Sequence, residues 1–264
     1  MKITAVVGSP HKGQTYRVVK TFADELKKHG EVDFEYIFLN DLNLQLCRGC
    51  GICLEKGEEY CPLHDDLKAV SKTLMESDGV VFAAPVYSLQ VPAQLKILLD
   101  RMAYVFHRPC FFGKTFMPIV TQGVYGDKEV LKYLGSVAQF WGFKLCRGVG
   151  VTTPLKGEPT AAQQQTIALE TAKAANQFHE LLTNPEMPAP GIKELMIFRF
   201  VRTSHKSGTG LPADYEYFKA NGWFETDYFY ETKLGLIKRA IGWWADRQSA
   251  KQGEKTRKQQ AELV

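Results

Sequence analysis

The stretch "GVVFAAPVYSLQVPAQLKILLDR", residues 79 to 101, decides the fold. Residues 79 to 87 read as a buried strand with its exit loop, and 91 to 106 as a helix with Pro92 near its start, where a missing N–H costs little. Strand, short loop and helix make half of a crossover unit, and the pattern repeats on both sides. Upstream, "KITAVVG" (2–8) is an apolar run ending in Gly, and Val18, Val19, Phe22 and Leu26 follow at helical spacing until Gly30. "VDFEYIFL" (32–39) alternates as a second strand, and residues 65–77 read as a helix with acidic residues in its first turn. Downstream come a strand at 115–123, a helix at 127–142, a strand in "FKLCRGVGV" (143–151) and a long closing helix at 160–184. Five strands alternating with five helices predict an α/β, doubly wound parallel sheet with right-handed crossovers. Such sheets bind ligands beyond the carboxyl ends of their strands, so the loops after strands one, three and four matter most.

Composition narrows the class. The chain has 264 residues, 45% hydrophobic and 23% charged, with a net charge of +4, which is ordinary globular composition and no signature of nucleic-acid binding. Six cysteines are too few for a disulfide scaffold at this length. No run approaches the roughly 18 to 20 apolar residues a membrane span needs, so no stable membrane insertion is expected. The opening "MKITAVVGSP" starts a strand at once, and a reducing cytoplasmic setting is expected, which disfavours disulfides within 47–61. The alternation occupies 1–184, a Pro-rich linker spans 185–191, and a mainly helical, aromatic-rich extension fills 192–264.

Three loops fall where a ligand belongs. After strand one, "GSPHKGQT" offers the hydroxyls of Ser9 and Thr15 and a flexible Gly13 just before a helix N-terminus, a place suited to phosphate. It is neither G-x-G-x-x-G nor a Walker sequence, and a plain turn with an N-cap would look similar. After strand three come Pro85 and Tyr87, and after strand four "TQGVYGD". Together, "GSPHKGQT", "APVYSLQVPAQLKILLDR" and "TQGVYG" resemble the NAD(P)H-dependent FMN reductase family of flavodoxin-like proteins over residues 1 to 184. The resemblance implies a five-stranded sheet of order 2-1-3-4-5 and bound FMN. Its phosphate would be held by Ser9, His11, Gln14 and Thr15, and its ring would lie between Pro85, Val86, Tyr87 and Ser88 on one side and Thr121, Gln122 and Gly123 on the other. His11 stands where many relatives carry Arg, which replaces a charged fork by a single donor. The implied activity is an FMN-dependent oxidoreductase fed by NAD(P)H or a reduced protein donor. No acid–base dyad is expected; Tyr87 and Tyr125 either shape the substrate side or pack as ordinary aromatics.

"CRGCGICLEKGEEYC" spaces Cys47, Cys50, Cys53 and Cys61 as C-x2-C-x2-C-x7-C. Three readings stay open: a [4Fe-4S] cluster, thiols without metal, and zinc, which favours two separated knuckles. The run resembles the compact cysteine motif of iron-sulfur flavoproteins, with the last spacing at its long end. That gives the alternative function, an electron-transfer module without a small-molecule substrate of its own. Cys110 lies outside the run, and Cys146 is expected in the core. In the extension, Leu234, Ile237, Ile241 and Trp244 recur on one helix face among Lys and Arg. Packing on its own domain or on a subunit partner is the expectation, with a membrane surface as the competing reading. Tyr215, Tyr217, Trp223, Tyr228, Phe229 and Tyr230 are read as covering the site of a neighbouring subunit. A homo-oligomer, dimer or tetramer, is expected.

Overall fold

The computed structural model describes residues 1–261. In chain order its strands and helices are β1 (Lys2–Val7), α1 (Gln14–Lys27), β2 (Asp33–Phe38), α2 (Ile52–Glu55), α3 (Leu67–Glu76), β3 (Gly79–Pro85), α4 (Ala93–Arg101), β4 (Thr115–Gln122), α5 (Asp127–Trp141), β5 (Lys144–Leu145), β6 (Val149–Thr152), α6 (Ala161–Thr183), α7 (Ile192–Lys206), α8 (Pro212–Ala220) and α9 (Leu236–Ala261). They fall into two compact units. The first is Met1–Arg48 with Leu63–Glu186; the second is Gly49–Pro62 with the chain from Met187 onward.

The first unit is the doubly wound parallel sheet, ordered β2-β1-β3-β4-β5, with β6 also paired to β4. Strands β1, β3 and β4 are buried almost end to end because helices cover both faces, which is why their sequences are continuous apolar runs. On one face Val18, Val19, Phe22 and Leu26 of α1 meet Phe178 of α6, with the Phe22 and Phe178 rings edge-on at 5.6 Å. Lys144 reaches the last turn of α6 and donates to the carbonyls of Leu181 (2.7 Å) and Asn184 (2.6 Å), closing orphan acceptors there. The helix expected over 91–106 stops at Arg101, and residues Ala103–Phe106 tighten into a 3-10 turn.

The fifth strand, expected as one run, is broken in two. Pro118 supplies the reason. Cys146 N–H donates to Phe116 O and Thr153 N–H to Gln122 O, so even-numbered residues of β4 face this edge. Pro118 therefore withholds the N–H that would have continued the ladder. The pairing resumes only at Ile119 with Val149. Cys146 is buried as expected, and burial pushes its thiol up to about 12.

The second unit rests on helix pairing. α9 turns Gly242, Ala245, Ser249 and Gly253 inward, a row of small residues at three- and four-residue spacing. These let the backbones of α7 and α9 approach: Ser249 Oγ donates to Phe200 O at 2.7 Å, and a Cβ on Gly253 would lie 2.7 Å from Ser207 Oγ. Beside them Asp246 accepts from Arg199, Arg202 and Thr203, joining the helices by charge. The apolar stripe picked from sequence is only partly covered: Ile237 and Trp244 are exposed, Ile241 is half-buried, and Leu234, also half-buried, precedes the helix. The aromatics also differ from expectation. Trp223 and Tyr228 are buried and, with Phe198, Phe218 and Phe229, form an edge-to-face core for this unit. That core takes up Trp223, Tyr228 and Phe229, half of the rings read as an intersubunit cover. α2, which carries Cys53, packs on α8.

Candidate functional site

The carboxyl ends of β1, β3 and β4 bring together the three loops singled out from sequence. After β1, the chain turns through Ser9, which is buried and whose Oγ accepts the His11 N–H at 3.3 Å. The neighbouring α1 has Gly13 at its N-cap, no capping side chain and no acidic residue in its first turn. α6, by contrast, is closed by a full Thr160/Gln163 capping box, and Gln122 Oε1 accepts the first amide of α5, that of Asp127, at 3.0 Å. The bare end of α1 thus keeps its amide donors and the positive end of its dipole for an anion. Thr15 is buried in the same turn and shares a 2.7 Å hydrogen bond with the hydroxyl of Thr121, linking the first loop to β4. Gln14 donates to Gly157 O at 2.8 Å, and Lys12 is drawn to Asp41 at 3.2 Å. His11 is exposed.

The loop after β3 is rigid. Val86 N–H donates to Thr121 O at 2.8 Å, and Tyr87 and Gln90 exchange two bonds of 2.9 Å around a tight turn. Ser88 and Leu89 sit there at φ 48° and 63°, left-handed values that cost non-glycine residues roughly 1–3 kcal/mol each. The turn holds Tyr87 and Leu89 out into solvent. Gly126, at φ 108°, permits this arrangement: a Cβ there would lie 2.9 Å from Val86 Cγ1 and 3.2 Å from Leu89 Cδ2. With Pro85 and Val86 half-buried, Thr121 buried, Gln122 half-buried and Gly123 exposed, two loops flank the sheet edge. Around them stand Tyr87, Leu89, Val124, Tyr125 and Leu155, all exposed. An apolar rim beside a phosphate-ready helix end suits a ligand with a flat ring and an anionic tail. Of these rim residues, sequence reading named only Tyr87 and Tyr125. For Leu89, Val124 and Leu155 the available signal is an apolar residue inside a loop.

A second feature escaped the sequence. Asp65 and Arg101 form a buried ion pair, their side chains only 1% and 2% exposed. Asp65 also accepts the amides of Gln45 (2.8 Å) and Leu67 (3.2 Å), Arg101 donates to Gln45 O (3.0 Å), and Asp66 accepts Asn43 N–H (2.7 Å). Burial alone would raise the Asp65 carboxyl, but the Arg101 and amide hydrogen bonds outweigh it and hold the pKa below the usual range. These contacts staple residues 43–45 to 64–67, the two feet of the cysteine-bearing excursion. The sequence pattern places these acidic residues in a helical first turn, but α3 begins at Leu67, so Asp65 and Asp66 precede the helix and are taken up by these contacts instead.

Cys47 and Cys50 are exposed, and Cys53 and Cys61 half-buried. Gly49 and Gly51 bend the chain between the first three at φ 63° and 71°. Among the described residues, no three His, Cys, Asp or Glu side chains are grouped to hold a metal ion.

Comparison with known proteins agrees with this picture. Residues 1–156 match the family model for NADPH-dependent FMN reductases. A protein of Archaeoglobus fulgidus called iron-sulfur flavoprotein is 31% identical over 228 residues, covering 84% of this chain and 99% of its own length. A second, from Methanosarcina thermophila, is 36% identical over 101 residues, 38% of this chain and 52% of the relative. Among solved structures, the apo form of an NADH:FMN oxidoreductase aligns with a TM-score of 0.53 at 19% identity, over 69% of this chain and 90% of that one. RosB with bound 8-demethyl-8-formylriboflavin-5′-phosphate aligns at 0.55 and 11% identity, over 89% and 92%. These structural likenesses establish the flavodoxin-like fold.

Proposed function

The chain belongs to the NADPH-dependent FMN reductase family, and from that premise we propose that it is an FMN-dependent oxidoreductase moving electrons from NAD(P)H or a reduced protein donor to an acceptor. The observation that carries this reading is the bare N-terminus of α1 facing a rigid apolar rim at the same sheet edge. Bound FMN supplies hydride acceptance from a nicotinamide and onward transfer of electrons singly or in pairs.

The chain's own part is binding and exclusion. The first-turn amides of α1, with Ser9, His11, Gln14 and Thr15, hold the phosphate. Thr15 can keep its bond to Thr121 and still serve, because a hydroxyl has one donor and two acceptor positions. Pro85, Val86, Tyr87 and Ser88 bound the ring on one side, Thr121, Gln122 and Gly123 on the other. The Val86 amide is spent on the Thr121 carbonyl, a bond that fixes the width of the slot. Tyr87, Tyr125 and Leu155 keep water from the ring edge and offer apolar surface to a nicotinamide.

A second reading is an electron-transfer module carrying a [4Fe-4S] cluster on Cys47, Cys50, Cys53 and Cys61. It is supported by the cysteine spacing, by the bends at Gly49 and Gly51, and by the name of the Archaeoglobus relative matched along 99% of its length. Protein purified without oxygen tests both. Flavin absorption with steady NAD(P)H oxidation supports the reductase. About four irons and four sulfides per chain, lost in Cys50→Ala, support the module. Ser9→Ala with Thr15→Ala is expected to weaken FMN binding by roughly 0.5–3 kcal/mol per hydroxyl, measured by fluorescence titration; unchanged affinity refutes the phosphate assignment.

A further inference from the structure

The inner face of α9 is used up on α7, and among the described residues of its own unit its outer face stands exposed. On that outer face Leu236 (83% exposed), Ile237 (75%), Trp243 (58%) and Trp244 (51%) stand in solvent over the first three turns. Further along the same side Arg247, Lys251, Lys255 and Lys258 are exposed, and Arg247 stacks on the Trp243 ring at 4.5 Å. Helical spacing aligns these residues: positions 236, 240, 243, 247 and 251 run along one line of the helix. Burying Trp243 and Trp244 inward is prevented by the small-residue row that brings α7 close.

We propose that this face docks on an anionic phospholipid surface. Tryptophans and long aliphatics enter the headgroup boundary while guanidinium and ammonium groups meet lipid phosphates. Charge favours this occupant over a second copy of the chain: exposed Arg247, Lys251 and Lys255 complement lipid phosphates, whereas a parallel pair of such helices would set them against like charges. Glu254 is the exposed acid on this stretch, and it is already paired with Lys258 at 3.0 Å. Among the described residues no helix is long and apolar enough to cross a membrane, so the contact is one of lying on the surface.

The test uses the full chain and sucrose-loaded vesicles. Vesicles of phosphatidylglycerol and phosphatidylcholine in equal parts should sediment the protein, and pure phosphatidylcholine should not. Trp243→Ala with Trp244→Ala leaves net charge unchanged and should weaken sedimentation on the order of tenfold. Arg247→Glu with Lys251→Glu should abolish the preference for anionic vesicles. Both pairs lie on the outer face, so helical circular dichroism should stay at the parent level. Failure of the parent to bind anionic vesicles overturns the proposal, as does equal binding by the tryptophan variant. A fall in native mass by light scattering in the tryptophan variant, without vesicle binding by the parent, assigns the face to a second copy instead.

Discussion

The two units bury charge in opposite ways. In the sheet unit the Asp65–Arg101 pair is sealed, 1% and 2% exposed. In the helical unit Asp246 stays 19% exposed and is shared by Arg199, Arg202 and Thr203 beside an aromatic core. A large sheet obtains stability from buried area and uses a sealed pair for position, here the feet of the cysteine-bearing excursion. A small helical unit with a Gly/Ala/Ser interface has less area to bury and relies on charge for cohesion.

The sharpest way to break this contrast is Arg101→Ala. Asp65 would be left buried and charged, at a cost of about 3–5 kcal/mol. Urea unfolding followed by flavin release should show the loss, and a cost below about 1 kcal/mol would place the pair among ordinary surface bridges. Asp246→Ala comes next. Water can reach the orphaned guanidiniums, so about 1–3 kcal/mol is expected, seen as faster proteolysis confined to residues 192–261 with FMN retained. Simultaneous loss of FMN would show that the units do not stand independently.

Acid sharpens the contrast further. The folded pKa of Asp65 lies below its unfolded value of about 3.9, so its contribution is complete above about pH 4 and is lost as pH falls towards the folded value. Replacing Asp65 by Asn should remove that part of the acid sensitivity in melting curves from pH 5 downward. The smallest effect concerns thiols. Cys146, pushed up to about 12 by burial, should resist iodoacetamide at pH 8 in native protein, whereas exposed Cys50 should be labelled. Rapid labelling of Cys146 would mean that the sheet edge opens.

The sheet was legible because β1, β3 and β4 are covered on both faces and so carry unbroken apolar runs; strand ends then located the loops around Ser9, Pro85 and Thr121. What stayed hidden depended on distance or on absence. Asp65 and Arg101 are 36 positions apart, and nothing local announces their pairing. In α9 hydropathy pointed the wrong way, because close approach to α7 selects Gly242, Ala245, Ser249 and Gly253 and leaves the tryptophans outside. The break in the fifth strand is hidden for a related reason. A missing N–H at Pro118 is invisible to an apolar count.

Pro118 also bears on how the molecule behaves in a crowded solution. A sheet edge with a long row of free amides and carbonyls invites a strand from another chain, and such pairing propagates into aggregates. Here that edge is two residues of β5, a gap, and four residues of β6. Neither piece offers an incoming strand enough consecutive partners to settle. The residue that interrupts the ladder inside the fold therefore also shortens the edge that this side of the sheet presents to other molecules.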